Sequence, residues 1–327
     1  MLNPKENYLT MLRGEIPEYV PSMFEQRSCR ITEEWLTPVY APNGPIVTPL
    51  GVTYVGSPEL MNGAMPKPGC IILDDITKWR DVIHAPDLTG FDWEDYYTKK
   101  LKDLDRREKY LPVVGGDYFL TLISFMGFEN AMIALYEEPE EVKALLEYVS
   151  EFYLEVLKQQ IRWIKPEVMS IMDDDAALRA PFFSVEMYRE FFKPYQKKHC
   201  DLAAENGILM ERHDCGRSEQ FVGDWVEMGI RCWNPAQTTN DLKSIKKRFG
   251  RKMAINGGWD SLKWANCEDE EAFRAALTEY VDTFAPDGGF VFAAMAGGKP
   301  DAPGAKMRQD AVNDVYQNYA KNYYKTH

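Results

Sequence analysis

From residue 111 onward the chain alternates short apolar runs with longer segments of helical periodicity, and this rhythm limits the possible folds more than any single motif. The runs LPVVGG, EVMSIM, ILME, IRCWN, KMAING and GGFVFAA are too short for helices and read as buried strands. Between them lie segments such as NAMIALYEEPEEVKALLEYVSEFYLEVLKQQIRWI, with Pro139 at a helix start, and SVEMYREFFKPYQKKHCDLAAENG, which ends on a glycine. Strand–helix alternation gives a parallel sheet with helices outside it. With EYVPSMFE as a first strand, seven strands in 327 residues predict one α/β domain over 1–327, a (β/α)8 TIM barrel, with the eighth strand hidden in the N-terminal third. A doubly wound sheet would carry a G-x-G-x-x-G loop after an early strand, and the sequence has none.

The segment before residue 111 is different. PKENYLTMLRG reads as an opening helix, and residues 28–110 as an irregular, lid-like insertion rich in Pro, Gly and aromatics. Within it, PLGVTYVGSPELMNGAMPKPG suggests a β-hairpin, and DDITKWRDVI and WEDYYTKKLKDLDRREKY suggest helices. A net charge of −13 argues against binding nucleic acid or an anionic membrane surface. No run reaches 18 apolar residues, the start lacks a signal-peptide core, and the six cysteines are widely scattered. A cytoplasmic protein with free thiols is expected.

Barrels place their chemistry at the C-terminal ends of their strands. There the sequence puts Glu25, Gln26 and Arg27; Gly115, Gly116, Asp117 and Tyr118; Asp173, Asp174 and Asp175; Glu211, His213 and Cys215; Asn234 and Gln237; Gly257, Gly258 and Asp260; and Met295, Gly297 and Gly298. His213 and Cys215, two residues apart, read three ways: as ligands of one metal ion, as a buried structural pair, or as an acid/base group. The adjacent aspartates read either as a helix cap with solvated neighbours or as a general acid or base whose proton affinity is raised by like charges. The basic run KSIKKRFGRK reads as a solvated face.

In their order, RGEIPEYVP, PLGVTYV, LDDITKWRDVIHAPDL, DDDAALRAPFFSVEMYREFFKPYQKKH, HDCG, WVEMGIRCWNPAQ, DLKSIKKRFGRKMAINGGWD and GGFVFAAMAGG resemble the uroporphyrinogen decarboxylase superfamily, and within it the cobalamin-dependent methyltransferases. The resemblance implies the same barrel. The decarboxylases carry an arginine-rich N-terminal loop, where this chain has only Arg27 and Arg30 in MFEQRSCRITEEW. The methyltransferases bind zinc through H-x-C-G and a later cysteine. His213, Cys215 and Gly216 match the first part, and the later cysteine is missing near Ala296; the resemblance then leaves three alternatives, Glu211 as third ligand, Cys232 in that place if it points inward, or a site without metal. That departure points to the branch that demethylates methoxylated aromatics. The resemblance therefore implies a small aromatic methyl ether as substrate and a corrinoid protein as partner, which supplies the cobalamin. Under it the expected catalytic residues are His213 with Asp173 or Asp174. The expected substrate contacts are Glu25, Tyr118, Asn234, Gln237 and Trp259, with Tyr40, Phe119 and Phe125 as further aromatic walls. The alternatives are a decarboxylase of an acidic substrate and a non-catalytic partner of a corrinoid carrier.

Overall fold

The computed structural model describes residues 2–25, 35–58 and 62–327. Six parallel strands lie side by side in chain order: β4 (Pro112–Val114), β5 (Val168–Met172), β6 (Leu209–His213), β7 (Ile230–Ala236), β8 (Ala254–Gly257) and β9 (Phe290–Val291). The expected first strand pairs with this sheet through one bridge, Ser22 to Phe292. Met23 N donates to Phe292 O at 3.1 Å and Phe292 N to Pro21 O at 2.8 Å. Pro21 has no N–H to extend that ladder, so the pairing stays short. This is the (β/α)8 barrel class; among the described residues no eighth regular strand joins the sheet.

Strand alternation sorts the side chains. Met169, Ile171, Met210, Trp233, Ile255 and Phe290 face outward into the main core under the helices. Each such burial contributes roughly 1.5–3 kcal/mol. Val168, Cys232, Ala254 and Val291 face inward, against Tyr8, Leu9, Met11 and Leu12 of helix α1 (Pro4–Leu12). Asn3 caps α1 by accepting from Glu6 N. Because Val168 and Ala254 open their strands, α1 plugs the N-terminal end of the barrel and leaves the C-terminal end for the site.

The predicted hairpin is present within a small antiparallel sheet of β1 (Ile46–Val47), β2 (Thr53–Ser57) and β3 (Gly63–Pro66). Leu50, Val52 and Tyr54 of this region join the main core, and Tyr54 OH donates to Ser124 Oγ at 2.9 Å. Two helical expectations change. The segment from Trp93 is helical only to Leu101 (α3; a short α2, Trp79–Val82, precedes it). Beyond it Arg106 gives its guanidinium to the carbonyls of Ile164 and Lys165, each at 2.6 Å, so the chain turns to close the C-terminus of the long helix α6. That helix (Pro139–Ile164) follows α4 (Phe119–Met126) and α5 (Phe128–Glu137). The helix expected from Val185 is broken into α7 (Val185–Met187), a π turn over Tyr188–Phe192, and α8 (Lys193–Glu205). Pro194 has no N–H to continue an α-helical ladder, and the wider turn absorbs the gap. The remaining helices are α9 (Val222–Met228), α10 (Leu242–Phe249), α11 (Ser261–Trp264), α12 (Glu270–Phe284), α13 (Ala305–Asn318) and α14 (Tyr323–Thr326). Among the described residues no single helix is long and apolar enough to cross a membrane.

Candidate active site

His213 ends β6, in register with Met172 of β5 and Asn234 of β7. Its Nε2 lies 3.6 Å from Cys215 Sγ and 3.9 Å from Asp174 Oδ1. The three ligand atoms all lie within 4.8 Å of one another, and all three residues are partly exposed. Bonds of about 2.0–2.3 Å in a tetrahedral zinc site place neighbouring ligand atoms about 3.3–3.8 Å apart, a range that the His213–Cys215 pair meets and that Asp174, at 3.9 Å, slightly exceeds. Three protein ligands leave its fourth position open. On the other side of the ring, His213 Nδ1 lies 3.2 Å from Asn234 Oδ1. An amide oxygen only accepts, so Nδ1 carries a proton, and in the neutral ring Nε2 presents its lone pair to Cys215 and Asp174. The Cys215 thiol is pushed up, first by burial and then by the carboxylates of Asp174 and Asp214. Without a cation it stays protonated at neutral pH; a bound divalent ion would displace that proton.

The loop that carries Cys215 is held at every turn. Cys215 N donates to Asp174 Oδ1 at 2.7 Å, Gly216 N to Gln237 Oε1 at 2.9 Å, and Asp214 N to Asn234 O at 3.0 Å. Trp233 Nε1 donates to Asp214 O and Asn240 Nδ2 to Gly216 O. Gly216 has φ +84°, and a Cβ there would lie 2.3 Å from Ala176 O, so the turn requires glycine. Behind the loop, fully buried Arg212 pairs with Asp175 and with Asp214, donates to Gln196 Oε1 and Asp173 O, and stacks 4.5 Å over Trp225. Burial raises the carboxyls of Asp175 and Asp214, and Arg212 opposes that rise. This ionic cluster ties the ends of β5 and β6 together.

A parallel barrel with this loop at its C-terminal mouth matches the profile of the uroporphyrinogen decarboxylase (URO-D) family over residues 114–313. The chain belongs to that family. The match begins at the end of β4 and runs through most of α13, so it takes in every residue of the site described above. No curated protein matches the chain. Among solved structures, a methyltransferase from Methanosarcina mazei shares the fold with a TM-score of 0.60 and 14% identity, over 97% of this chain and 100% of that one.

Within this URO-D barrel the expected site residues divide. His213, Cys215, Asp174 and Asn234 come together, whereas Glu211 is corrected from ligand to structural anchor. It faces the barrel interior below His213, where Ser170 Oγ donates to it at 2.5 Å, Tyr8 OH at 2.9 Å and Tyr110 OH at 3.3 Å. Among the described residues, the group whose ligand atoms converge uses Asp174 in its place. Asp173 is corrected too: it is fully buried and accepts from the backbone N of Tyr118, Phe119 and Leu120 and from Gln196 Nε2. It serves the N-terminus of α4, where a carboxylate complements the unpaired amides and the helix dipole. Tyr118 is core, its hydroxyl 2.7 Å from His199 Nε2; Phe119 and Phe125 are core as well. Glu25 binds Tyr316 OH at 2.8 Å and Lys321 Nζ at 3.2 Å, which fastens the first strand to the C-terminal helices. Gln237 braces Gly216. Trp259 links two mouth loops through Met295 O at 2.9 Å and stacks on Trp264. Half-exposed Tyr40 bridges to Gly63 of the small sheet. Gln26, Arg27 and Arg30 lie outside the described residues. Sequence reading passed over Arg212, although an arginine inside the strand run LMERH was its signal, and Asn256, discussed below.

Proposed function

We propose that this chain is the methyltransferase component of an O-demethylase, which takes the methyl group of an aromatic methyl ether and passes it to the Co(I) corrinoid of a partner protein. The observation that carries the reading is the convergence of Asp174, His213 and Cys215 at the mouth of a URO-D barrel. The shared fold with a protein described as a methyltransferase supports it. In this reaction the O–CH3 bond breaks, the electron pair of Co(I) takes the methyl group, and the aryl oxygen leaves with the bonding pair. A free phenolate leaves poorly, so positive charge or a proton must reach that oxygen. Asp174, His213 and Cys215 would hold a zinc ion, which when bound supplies a Lewis acid for the leaving oxygen. The chain's own groups prepare that position. Asn234 orients the imidazole and fixes its tautomer, Asp174 holds the Cys215 backbone, and Gly216 lets the loop close on Ala176. Trp259, held by its bond to Met295 O, would serve as the aromatic wall for a flat ring.

The decarboxylase alternative calls for cations that receive an acidic substrate. Arg212 is buried and paired with two aspartates, and Arg217 pairs with Glu219. The test mixes the protein with a Co(I) corrinoid protein and a guaiacol-type ether and follows loss of the Co(I) band, with metal analysis of the same sample. Enzyme-dependent methylation is expected. His213→Ala should lower turnover at least a hundredfold with little change in ether binding. Near-normal turnover in that variant removes His213 from the mechanism, and no methylation across a panel of methyl donors removes the reading.

A further inference from the structure

β7 and β8 run in register at Cys232 to Ala254 and Trp233 to Ile255, and the next residues are Asn234 and Asn256. Cys232 and Ala254 face the barrel interior, so strand alternation turns both asparagines the same way, at the level of His213. The register then shifts before Ala236 pairs with Gly257. Such irregularities re-aim side chains at the rims of barrels. Asn234 is 9% exposed and Asn256 4%. Asn234 spends its Oδ1 on His213, while its Nδ2 and Asn256 Oδ1 are buried without a hydrogen-bond partner. Each such group is costly to bury unpaired, and native folds keep few of them. Here two of opposite character, a donor and an acceptor, stand on adjacent strands beside the site.

We propose that Asn234 and Asn256 form the receptor for a hydroxyl group on the substrate ring, next to the methoxy group that reacts. This rests on the proposed demethylase reading for the placing of the ether. A hydroxyl accepts from Asn234 Nδ2 and donates to Asn256 Oδ1 through one oxygen atom. Neighbouring strands lie about 4.8 Å apart, a gap that one oxygen bridges with two bonds of about 2.8 Å. An ether oxygen accepts only and leaves Asn256 unsatisfied. A carboxylate also accepts only, and its charge faces the Asn256 carbonyl. The substrate class is therefore a 2-methoxyphenol, not a fully methylated arene or a ring with a carboxylate at that position.

The test is calorimetric binding to the purified protein without any corrinoid partner. Guaiacol, which carries the hydroxyl, is compared with 1,2-dimethoxybenzene, in which it is methylated. Guaiacol should bind about tenfold more tightly, the ratio that about 1.4 kcal/mol of hydrogen bonding gives. In Asn256→Ala the ratio should fall below about threefold while the melting temperature holds or rises, because an unpaired acceptor has been removed. Asn256→Leu, closer in volume, serves if the first variant does not fold. Equal binding of the two compounds, no binding of either, or an unchanged ratio in the variants overturns the proposal. A guaiacol preference that collapses in the variants, with no methyl transfer to a corrinoid protein, leaves it standing and removes the demethylase reading instead.

Discussion

Replacing Asp117 by asparagine should make the protein less sensitive to alkali. Asp117 follows β4, is 3% exposed, and accepts from Thr121 Oγ1 at 2.7 Å. Burial first, and then the charge of Asp173, push its carboxyl up to about 7. In the unfolded chain the same group titrates near about 3.9. The folded state therefore holds this proton over a range where the unfolded state has lost it. The stability it contributes is complete below about pH 4 and is lost as pH rises toward 7. Between pH 5 and pH 8 that linkage removes about 3 kcal/mol. An unfolding entropy of about 2.1 cal/mol/K per residue over 327 residues converts this to a fall of about 4 °C in Tm. An asparagine side chain in its place is not ionisable, yet its amide carbonyl still accepts from Thr121. Calorimetric Tm measured for both proteins from pH 5 to pH 8 should show Asp117→Asn gaining on the parent by about 4 °C over that range. A difference between the two that stays constant within about 1 °C would refute the assignment of a buried, proton-holding carboxyl.

Three further outcomes follow from the same geometry. Arg212→Met leaves Asp175 and Asp214 buried without their cation and should cost about 3–5 kcal/mol, a drop of about 4–7 °C in Tm; a drop under about 1 °C would show that the cluster is not coupled to folding. Asp174→Ala should weaken zinc or Co(II) binding at least tenfold, whereas Glu211→Gln should leave it within about threefold and instead lower Tm through Tyr8 and Tyr110. The reverse order of the two affinities would restore Glu211 as the ligand. Tyr118→Phe removes a buried hydroxyl from His199 and should lower stability by about 1–2 kcal/mol with turnover and KM unchanged, because Tyr118 belongs to the core and not to the site; a tenfold rise in KM would return it to the substrate.

The strands were legible because a strand buried on both faces must be apolar along its length, and LPVV and GFVFAA meet that demand where β4 and β9 form. Helix ends were less legible where tertiary bonds decide them. No glycine or proline marks the stop at Leu101; past it the chain turns on itself, Arg107 N bonding Asp105 Oδ1, and Arg106 reaches the carbonyls that end α6, 58 and 59 positions away. The first strand was visible as a pattern, but Pro21 limited it to one bridge.

The three adjacent aspartates show where a sequence stops speaking about a site. As text, Asp173, Asp174 and Asp175 are equivalent carboxylates after one strand, and any of them could serve the same chemistry. Past the end of β5, consecutive side chains leave the backbone in different directions. The first meets the amides at the start of α4, the second meets His213 and Cys215, and the third meets Arg212. Their roles follow from partners 53 to 55, 39 to 41 and 37 positions distant. Glu211 is the converse case. Its place two residues before His213 put both on one face of β6, which made it look like a ligand. Two residues of strand rise about 6.6 Å, and at that depth Tyr8, Tyr110 and Ser170 already claim the carboxylate. Spacing along a strand fixes the face; the depth of a metal site along that face would be set by which neighbouring loop brings a third ligand, and here the loop after β5 brings Asp174 beside His213 and Cys215.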